Sequence, residues 1–347
     1  MLYVTTRNNR DAYTAHRILA ENRGPDGGLF VPFHSPVFSR EDIDALAQKP
    51  FNSCLAEILN LIFNTKLTAR ELDLRIGRRA VRVKKLGRRT VLAETWHNPE
   101  GCFSAMVREL TELLQSNRQA SEIPGEWVTI GVRIAVLFGL FGEMRRQGIA
   151  DSENPIDISV PSGDFSAPMS AWYARQWGLP VGNIICCCNE NSNLWDLICH
   201  GQLRTDGIAI KTALSDADVS IPVGLERLIY AAGGPEETER YLDTLRRGSI
   251  YYAEDSLLQK LRQGIYVTVS GEARILSAIP GVFGNTSCLV SPYTALAYTG
   301  LQDYRAGTGE TRTCLVLSEK SPACDPDTVA SAMGITPEQL DQYLKQS

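Results

Sequence analysis

The side chains most able to do chemistry are concentrated in one polar loop. His97 and Cys102 are five residues apart there, and together they could form a thiolate–imidazole pair. Ser104 is a second candidate nucleophile, but it lacks the Gly-x-Ser-x-Gly turn that exposes a serine above a sheet. Asp216 and Asp218 fit part of an oxygen-ligand set for a divalent cation. None of these patterns defines a mechanism, and a structural role is the first interpretation of each.

A second candidate site is the segment Gly163-Asp-Phe-Ser-Ala-Pro168, which follows a predicted strand. A turn of this kind binds phosphate when glycines leave the backbone N–H groups open at a helix N-terminus. Here only Gly163 is a glycine, and Asp164, Phe165 and Ser166 follow it. At 4 Å and an effective dielectric constant of about 20, the Asp164 charge would oppose a phosphate charge by roughly 4 kcal/mol. The sequence therefore favours an ordinary strand–helix junction capped by Asp164 or Ser166.

The composition excludes several classes of protein. The 347 residues are 44% hydrophobic and 22% charged, with a net charge of -5, so a sizeable core is expected and a nucleic-acid surface is not. The dense basic run Val81–Arg89 alternates with apolar residues and is interpreted as strand, turn and strand. Nine cysteines, three of them adjacent at Cys186–Cys188, and only four histidines indicate reduced thiols, no cysteine–histidine metal site and a cytoplasmic location.

The elements that position these residues alternate between strands and helices. Period-two and buried apolar runs predict strands, whereas capping residues and apolar faces at helical spacing predict helices. The strands are Ile156–Val160, Ile184–Cys188, Ile208–Ile210, Ile265–Val269 and Cys314–Leu317. The helices include Ala12–Glu21, Phe103–Leu114, Pro168–Trp177, Gly224–Ala232, Pro235–Arg247, Ser256–Gln263 and Pro292–Gly300, and two more begin after Ser39 and Thr68. This order predicts an α/β fold with a mostly parallel sheet covered on both faces.

The most apolar stretch, Val128 to Phe141, is expected to be a buried central helix. It contains Arg133 and is shorter than the roughly 20 residues that cross a bilayer, so no membrane segment is predicted.

Several motifs, in the same order along the chain, resemble those of threonine synthases. The central one is Leu92-Ala-Glu-Thr-Trp-His-Asn-Pro-Glu-Gly-Cys-Phe-Ser-Ala-Met106, in which the family has a lysine where this chain has Ser104. The others are Tyr3-Val-Thr-Thr-Arg7, Pro25-Asp-Gly-Gly-Leu-Phe-Val-Pro32, Ile158-Ser-Val-Pro-Ser-Gly-Asp-Phe165, Asn189-Glu-Asn191 and Ser291-Pro-Tyr-Thr-Ala295. The chain thus resembles a divergent member of this family of fold type II pyridoxal-phosphate enzymes.

The resemblance implies a tryptophan-synthase-β-like layered sheet with helices on both faces and a reduced small subdomain. It divides the chain into a threonine-synthase-like N-terminal domain at 1–94, a remnant of the cofactor-lysine subdomain at 95–127 and a large α/β domain at 128–347. The segment Ser116 to Trp127 stands where the family has further strands and helices, and it is expected to contain no strand. None of the eight lysines lies in a motif that matches the family's cofactor pocket.

The functional expectation is a threonine-synthase-like protein that does not act as a threonine synthase. It would bind a small amino-acid-like or anionic ligand, or a protein partner, and it would need no cofactor. The expected cleft residues are His97, Asn98, Ser104, Asn189, Asn191 and Thr294, with Gly163, Asp164, Phe165 and Ser166 as a remnant of a cofactor-binding turn. The alternative is a pyridoxal-phosphate-dependent lyase that converts O-phosphohomoserine to threonine, or a related elimination enzyme. Either a monomer or a homodimer fits the sequence.

Overall fold

The computed structural model describes residues 1–115 and 126–346. Helices and strands alternate over most of this part of the chain. The strands are β1 (Leu2–Thr5), β2 (Tyr13–Thr14), β3 (Phe30–Pro32), β4 (Arg82–Gly87), β5 (Thr90–Glu94), β6 (Ile156–Pro161), β7 (Val181–Cys188), β8 (Gln202–Arg204), β9 (Ile250–Tyr252), β10 (Ile265–Val269) and β11 (Cys314–Ser318). The helices are α1 (Ala15–Ala20), α2 (Arg40–Gln48), α3 (Phe51–Phe63), α4 (Ala69–Arg75), α5 (Phe103–Gln115), α6 (Glu126–Arg146), α7 (Ser166–Gln176), α8 (Asn193–His200), α9 (Leu225–Arg247), α10 (Asp255–Arg262), α11 (Glu272–Thr286), α12 (Pro292–Thr308), α13 (Pro326–Met333) and α14 (Pro337–Gln346).

The central sheet has six strands in the order β10, β7, β6, β11, β5 and β4. The first five are parallel to one another, and β4 pairs antiparallel with β5. This confirms the predicted α/β fold with a mostly parallel sheet, and the β4–β5 hairpin confirms the strand, turn and strand predicted for the basic run. Because β5, β11, β6, β7 and β10 run in the same direction, the loops that follow them meet along one edge of the sheet.

The two faces of the sheet are covered by separate hydrophobic cores. Along β7 the side chains alternate, so that Cys186 and Cys188 pack in the core with α6 and α7, while Cys187 packs with α11 and α12. A Cβ atom on Gly300 of α12 would lie only 2.1 Å from the Cys187 sulfur, so glycine permits this close approach. All nine cysteines are free thiols, and burial raises the pKa of Cys187 to about 11 and that of Cys188 to about 12.

Helix α6 confirms the buried central helix and is longer than the apolar stretch that predicted it. Its 21 residues are long and apolar enough to cross a membrane by length and composition, but 89% of the apolar window is buried within the protein. It packs against α2, α3 and α7. Its apolar surface is therefore used in the interior of the fold, as the sequence predicts.

Some predicted elements differ from the structure. The strand predicted at Ile208–Ile210 is wrong: Ile208 is 94% exposed in a loop, and the strand lies earlier, at β8. The helix predicted at Ala12–Glu21 begins only at Ala15, because Tyr13 pairs with β1. Helix α7 begins at Ser166 rather than Pro168, because a proline is accepted within the first turn of a helix.

The two helices predicted on either side of Pro235 are present as two helical segments separated by a break. One helical run, α9, is broken at Gly234, whose φ of 77° and ψ of -172° are not helical. The expectation of a strand-free connection over Ser116 to Trp127 falls largely on residues 116–125, which lie outside the described residues.

Candidate ligand cavity

A cavity of about 690 Å³ opens at the sheet edge where β6 and β11 end. Helix α5, helix α7, the β6–α7 turn and the residues after β11 surround it. Its lining comprises Cys102, Phe103, Ser104, Val107, Arg108, Thr129, Arg133, Pro161, Ser162, Gly163, Asp164, Ser166, Ala167, Asp216, Tyr293, Leu317, Glu319 and Lys320. In an open α/β sheet this is the edge at which ligands usually bind.

Ser104 lies in the cavity, on the first turn of α5. Its side chain is exposed, and its hydroxyl donates a hydrogen bond to the Cys102 sulfur at 3.1 Å. No hydrogen bond among the described residues joins it to a histidine or a carboxylate, the groups that would activate a serine. Ser104 thus lines this cavity, but it is not arranged as a nucleophile.

Lys320 enters the same cavity from the end of β11, although no motif in the sequence predicts it. An antiparallel bridge pairs Lys320 with Cys102, which brings the lysine backbone next to the loop that carries Ser104. Its ammonium lies 3.1 Å from Asp216 Oδ2, 3.5 Å from Asp325 Oδ1 and 4.6 Å from the centre of the Tyr293 ring. It is the only cavity-lining lysine in residues 1–115 and 126–346.

The surroundings of Lys320 keep its amine protonated. Burial alone would lower its pKa, but the hydrogen bond to Asp216 and the charges of Asp216 and Asp325 outweigh burial and raise it. A reactive lysine needs the opposite shift, because only the neutral amine attacks a carbonyl group. Lys320 is therefore a fixed cation of the cavity wall.

The β6–α7 turn holds Asp164 at the N-terminus of α7. Gly163 and Phe165 have φ angles of 42° and 71°, and the Asp164 side chain turns back onto the helix. Its Oδ1 accepts hydrogen bonds from the Ser166 N–H at 2.8 Å and the Ser166 hydroxyl at 2.6 Å. The N-cap position of α7 is Phe165, which makes no side-chain cap, and Asp164, one residue earlier, bonds to Ser166 instead. A carboxylate of the chain thus occupies donors that a bound anion would need. Phe165 is fully buried and does not line the cavity.

A buried ion pair forms another part of the wall. Arg133, 5% exposed on α6, makes a two-pronged contact with Glu319, with distances of 2.5 Å from Nε to Oε1 and 3.0 Å from Nη2 to Oε2. Its Nη1 donates to the Ser166 hydroxyl at 3.3 Å, and its guanidinium lies over the Phe103 ring. Burial would lower the Arg133 pKa, but the charge of Glu319 outweighs burial, so the pKa of Arg133 is raised. This arginine is charged and already occupied.

His97 and Asn98, both predicted for the cleft, line a separate neighbouring cavity of about 620 Å³. The His97 Nε2 lies 2.8 Å from Oε2 of the buried Glu94, whose Oε1 lies 3.0 Å from the Lys84 ammonium. Burial would raise the Glu94 pKa, but the contacts with His97 and Lys84 outweigh burial and lower it. A His97–Cys102 catalytic pair is therefore not formed: His97 pairs with Glu94, and Cys102 faces the other cavity.

Asn189 and Asn191, after β7, are used inside the protein rather than in the cavity. The Asn189 amide donates to Asp218 Oδ1 at 2.6 Å and to the Thr212 hydroxyl at 3.1 Å. Asn191 accepts from the Ile210 N–H and donates to the Ile210 carbonyl. These contacts close the strand end, and neither asparagine lines the cavity at the ends of β6 and β11.

Thr294 is also buried away from that cavity. Its hydroxyl donates to the Ser318 hydroxyl at 2.8 Å, and its N–H donates to Ser291 at the start of α12. Its position is explained by helix capping.

The two aspartates proposed as cation ligands serve different partners. Asp216 pairs with Lys320, whereas Asp218 accepts from Asn189, Asn191 and both the N–H and the hydroxyl of Thr212. No cluster of three or more acidic, histidine or cysteine side chains suited to a metal ion occurs in the described part of the chain.

Comparisons with known proteins connect this geometry to one family. Residues 2–79 match the family described as Threonine synthase N terminus. Over 156 residues the chain is 29% identical to human threonine synthase-like 1, covering 44% of this chain and 21% of that protein. Over 200 residues it is 26% identical to the threonine synthase of Corynebacterium glutamicum, covering 55% of this chain and 41% of that protein. The matched regions thus span less than half of either curated relative.

Solved structures extend the similarity to the whole chain at the level of the fold. The pyridoxal-phosphate-bound threonine synthase of Brucella melitensis aligns with a TM-score of 0.84 at 16% identity, covering 100% of this chain and 95% of that one. Yeast threonine synthase aligns with a TM-score of 0.84 at 15% identity, covering 99% and 94%. The predicted resemblance to threonine synthases and the predicted fold type II architecture are confirmed.

Proposed function

From this relationship to threonine synthases, we propose that the protein binds a small ligand noncovalently and does not carry out pyridoxal-phosphate-dependent threonine synthesis. The observation that carries the proposal is the cavity wall itself. Ser104 stands where the resemblance places the cofactor lysine, and the one lysine that does line the described cavity, Lys320, is held as an ammonium by two carboxylates.

The residues present do not fit pyridoxal phosphate. The cofactor needs a neutral amine for its aldehyde and open N–H donors for its phosphate. The amine is absent at Ser104, and the Ser166 N–H is already bonded to the Asp164 carboxylate. A phosphate placed at the start of α7 would therefore displace a hydrogen-bonded carboxylate and lie beside its negative charge.

Other properties of the cavity favour a small noncovalent ligand. Its volume of about 690 Å³ is in the usual range for small-molecule sites, and the wall combines apolar side chains with ionised groups of both signs. The structural relative from Brucella melitensis is described as binding pyridoxal phosphate, and we infer that this chain has kept the cavity but changed the ligand. A cytoplasmic location belongs to the same proposal.

The test is a spectroscopic titration of the purified protein with pyridoxal phosphate, followed by borohydride reduction and mass spectrometry. We expect no new visible absorption and no stoichiometric pyridoxyl group on any lysine, because no amine in the described cavity is neutral. A Lys320→Met variant is the matched control that locates any adduct. A threonine synthase assayed in parallel verifies that the cofactor is active.

Two results would contradict the proposal. One is a stoichiometric adduct on a single lysine of the wild-type protein, and the other is sustained release of phosphate from O-phosphohomoserine. Either would favour the alternative, a pyridoxal-phosphate-dependent lyase. A thermal-stability screen of amino acids, O-phosphohomoserine and vitamin B6 forms would then identify which compounds bind.

A further inference from the structure

Asp164 differs from the other charged groups of the cavity in forming no direct ion pair in the described part of the chain, although the charge of the buried Arg133 interacts with it. Arg108 pairs with Glu100, Arg133 with Glu319, and Lys320 with Asp216 and Asp325. By contrast, none of the ion pairs within residues 1–115 and 126–346 includes Asp164, whose residue is exposed at the cavity wall. Its hydrogen bonds come from Ser166, which is neutral.

The electrostatic balance of the cavity is negative as a result. Three cations line it, and they are accompanied by five carboxylates when their direct partners are included. Directly paired charges of opposite sign largely cancel at the distance of a ligand. Asp164 is less completely compensated, because Arg133, the cation that interacts with it, is already paired with Glu319. A cleft with low-dielectric walls concentrates this field, so the cavity favours a positive group and opposes a dianion.

Two hydroxyl groups line the same cavity as Asp164 and offer further acceptors to a positive group. The hydroxyl-bearing Ser104 and Ser162 line the same cavity, and an ammonium has three N–H donors for a carboxylate and hydroxyls. The apolar part of the wall, with Val107, Pro161 and Leu317, can cover a short aliphatic chain.

We propose that the cavity takes a small, unphosphorylated molecule with a primary ammonium group, bound through the Asp164 carboxylate. This depends on the noncovalent ligand binding proposed above and specifies its chemical class, an amine or an amino acid. Asp164 then has two roles: it fills the N-terminus of α7 against phosphate, and it is the counter-ion of the ligand.

The experiment is a ligand-observed NMR titration with four-carbon compounds that differ in their polar group. The probes are n-butylammonium, L-2-aminobutyrate, butyrate and n-butyl phosphate, each titrated into the full chain at pH 7. We expect the two ammonium compounds to bind more tightly than butyrate, and n-butyl phosphate to bind most weakly. A charge-assisted hydrogen bond of this type corresponds to about a tenfold to hundredfold difference in affinity.

The critical variant is Asp164→Asn, which removes the charge but keeps an oxygen that can accept from the Ser166 N–H. The variant should bind n-butylammonium about tenfold more weakly than the wild-type protein, or weaker still, and it should bind n-butyl phosphate more tightly than the wild-type protein does. Asp255→Asn is the matched control, since Asp255 is also an exposed aspartate at the start of a helix but does not line the cavity. This control should leave the order of affinities unchanged.

The outcomes separate this inference from the proposed function. Tighter binding of butyrate or n-butyl phosphate than of n-butylammonium would overturn the inference and leave noncovalent ligand binding intact. Unchanged affinity in Asp164→Asn, or no binding of any of the four probes, would also overturn it. A stoichiometric pyridoxal-phosphate adduct would instead contradict the proposed function.

Discussion

The central and flanking strands of the parallel sheet end differently. At the centre, β6 and β11 end at the cavity, where Asp164 meets an open space. On the flanks, β7 ends in the hydrogen bonds that join Asn189 to Asp218, and β5 ends at Glu94, held between His97 and Lys84. The carboxyl ends of these parallel strands lie at one edge of the sheet, but only the ends of β6 and β11 line the larger cavity.

The difference teaches how to separate structural from functional polar residues in such a fold. A carboxylate whose oxygens are all occupied by donors from the protein contributes to stability and has little left to offer a ligand. A carboxylate with a free oxygen in a cavity contributes less to stability and can bind. Substitutions at the flanking strand ends should therefore change mainly the free energy of unfolding. Substitutions at the central strand ends should change mainly the affinity for ligands.

The largest effect on stability is expected from Glu94→Gln. The change removes a carboxylate charge that is 1% exposed and that contacts both Lys84 and His97, which should lower the free energy of unfolding by about 3 kcal/mol. Chemical denaturation at pH 7 measures it. His97→Gln, which removes one partner but keeps the carboxylate with Lys84, is the matched control and should cost less.

The stability that the Glu94 carboxylate contributes should depend on pH. The contacts with His97 and Lys84 outweigh burial and lower the Glu94 pKa in the folded protein, whereas in the unfolded chain it is about 4.3. A lowered folded pKa gives stability that is fully present above the unfolded pKa and is lost as pH falls through the folded value. The difference between wild type and Glu94→Gln should thus be largest near pH 7 and shrink below about pH 4.3. A difference that grows on acidification would show that Glu94 is not the ionised centre of this cluster.

A smaller loss is expected for Asp218→Ala at the other flank. The variant leaves donors of Asn189, Asn191 and Thr212 without their acceptor. It should lower the free energy of unfolding by about 2 kcal/mol, less than Glu94→Gln, because Asp218 is only partly buried. Asp216 lies two residues away and is exposed, so Asp216→Ala should lower the free energy of unfolding by less than half as much. Equal losses for the two variants would remove the distinction between a closed and an open strand end.

The sequence predicts more of the scaffold than of the site, for physical reasons. The apolar runs of β6, β7, β10 and β11 identify buried parallel strands because burial on both faces demands apolar side chains. Ile208–Ile210 has the same composition but is exposed, since tertiary pairing decides whether a short apolar run becomes a strand.

The site residues depend on which loops meet at the sheet edge, and a local motif does not contain that information. Ser104 and Asp164 were predicted because they occupy motif positions, and both line the cavity. Lys320 was missed because it lies in no motif of its own and reaches Cys102 only through strand pairing. Asn189 and Thr294 also occupy motif positions, but their polar atoms are used within the fold.

At the central end, Asp164→Ala should cost only about 1 kcal/mol. The variant removes the acceptor of the Ser166 N–H, and losing such a helix-capping contact has about this effect. Thermal or chemical unfolding of Asp164→Ala and Asp218→Ala, measured under the same conditions, compares their losses of stability. Asp164→Asn is the control that retains an acceptor. A loss for Asp164→Ala larger than that for Asp218→Ala would mean that Asp164 is chiefly structural, and the contrast between centre and flanks would fail.

The smallest effect is expected from restoring the family's lysine by Ser104→Lys. The new amine would enter the cavity from the first turn of α5, but the start of α7 would still be occupied by Asp164, and Lys320 would still be paired with Asp216. Catalytic groups that act together are not recovered one at a time, so no sustained release of phosphate from O-phosphohomoserine is expected with pyridoxal phosphate supplied. The double variant Ser104→Lys/Asp164→Asn also removes the Asp164 charge at the start of α7 and is the informative comparison. Turnover by the single variant would show that Asp164 does not exclude the cofactor, whereas turnover by the double variant alone would identify its carboxylate as the barrier.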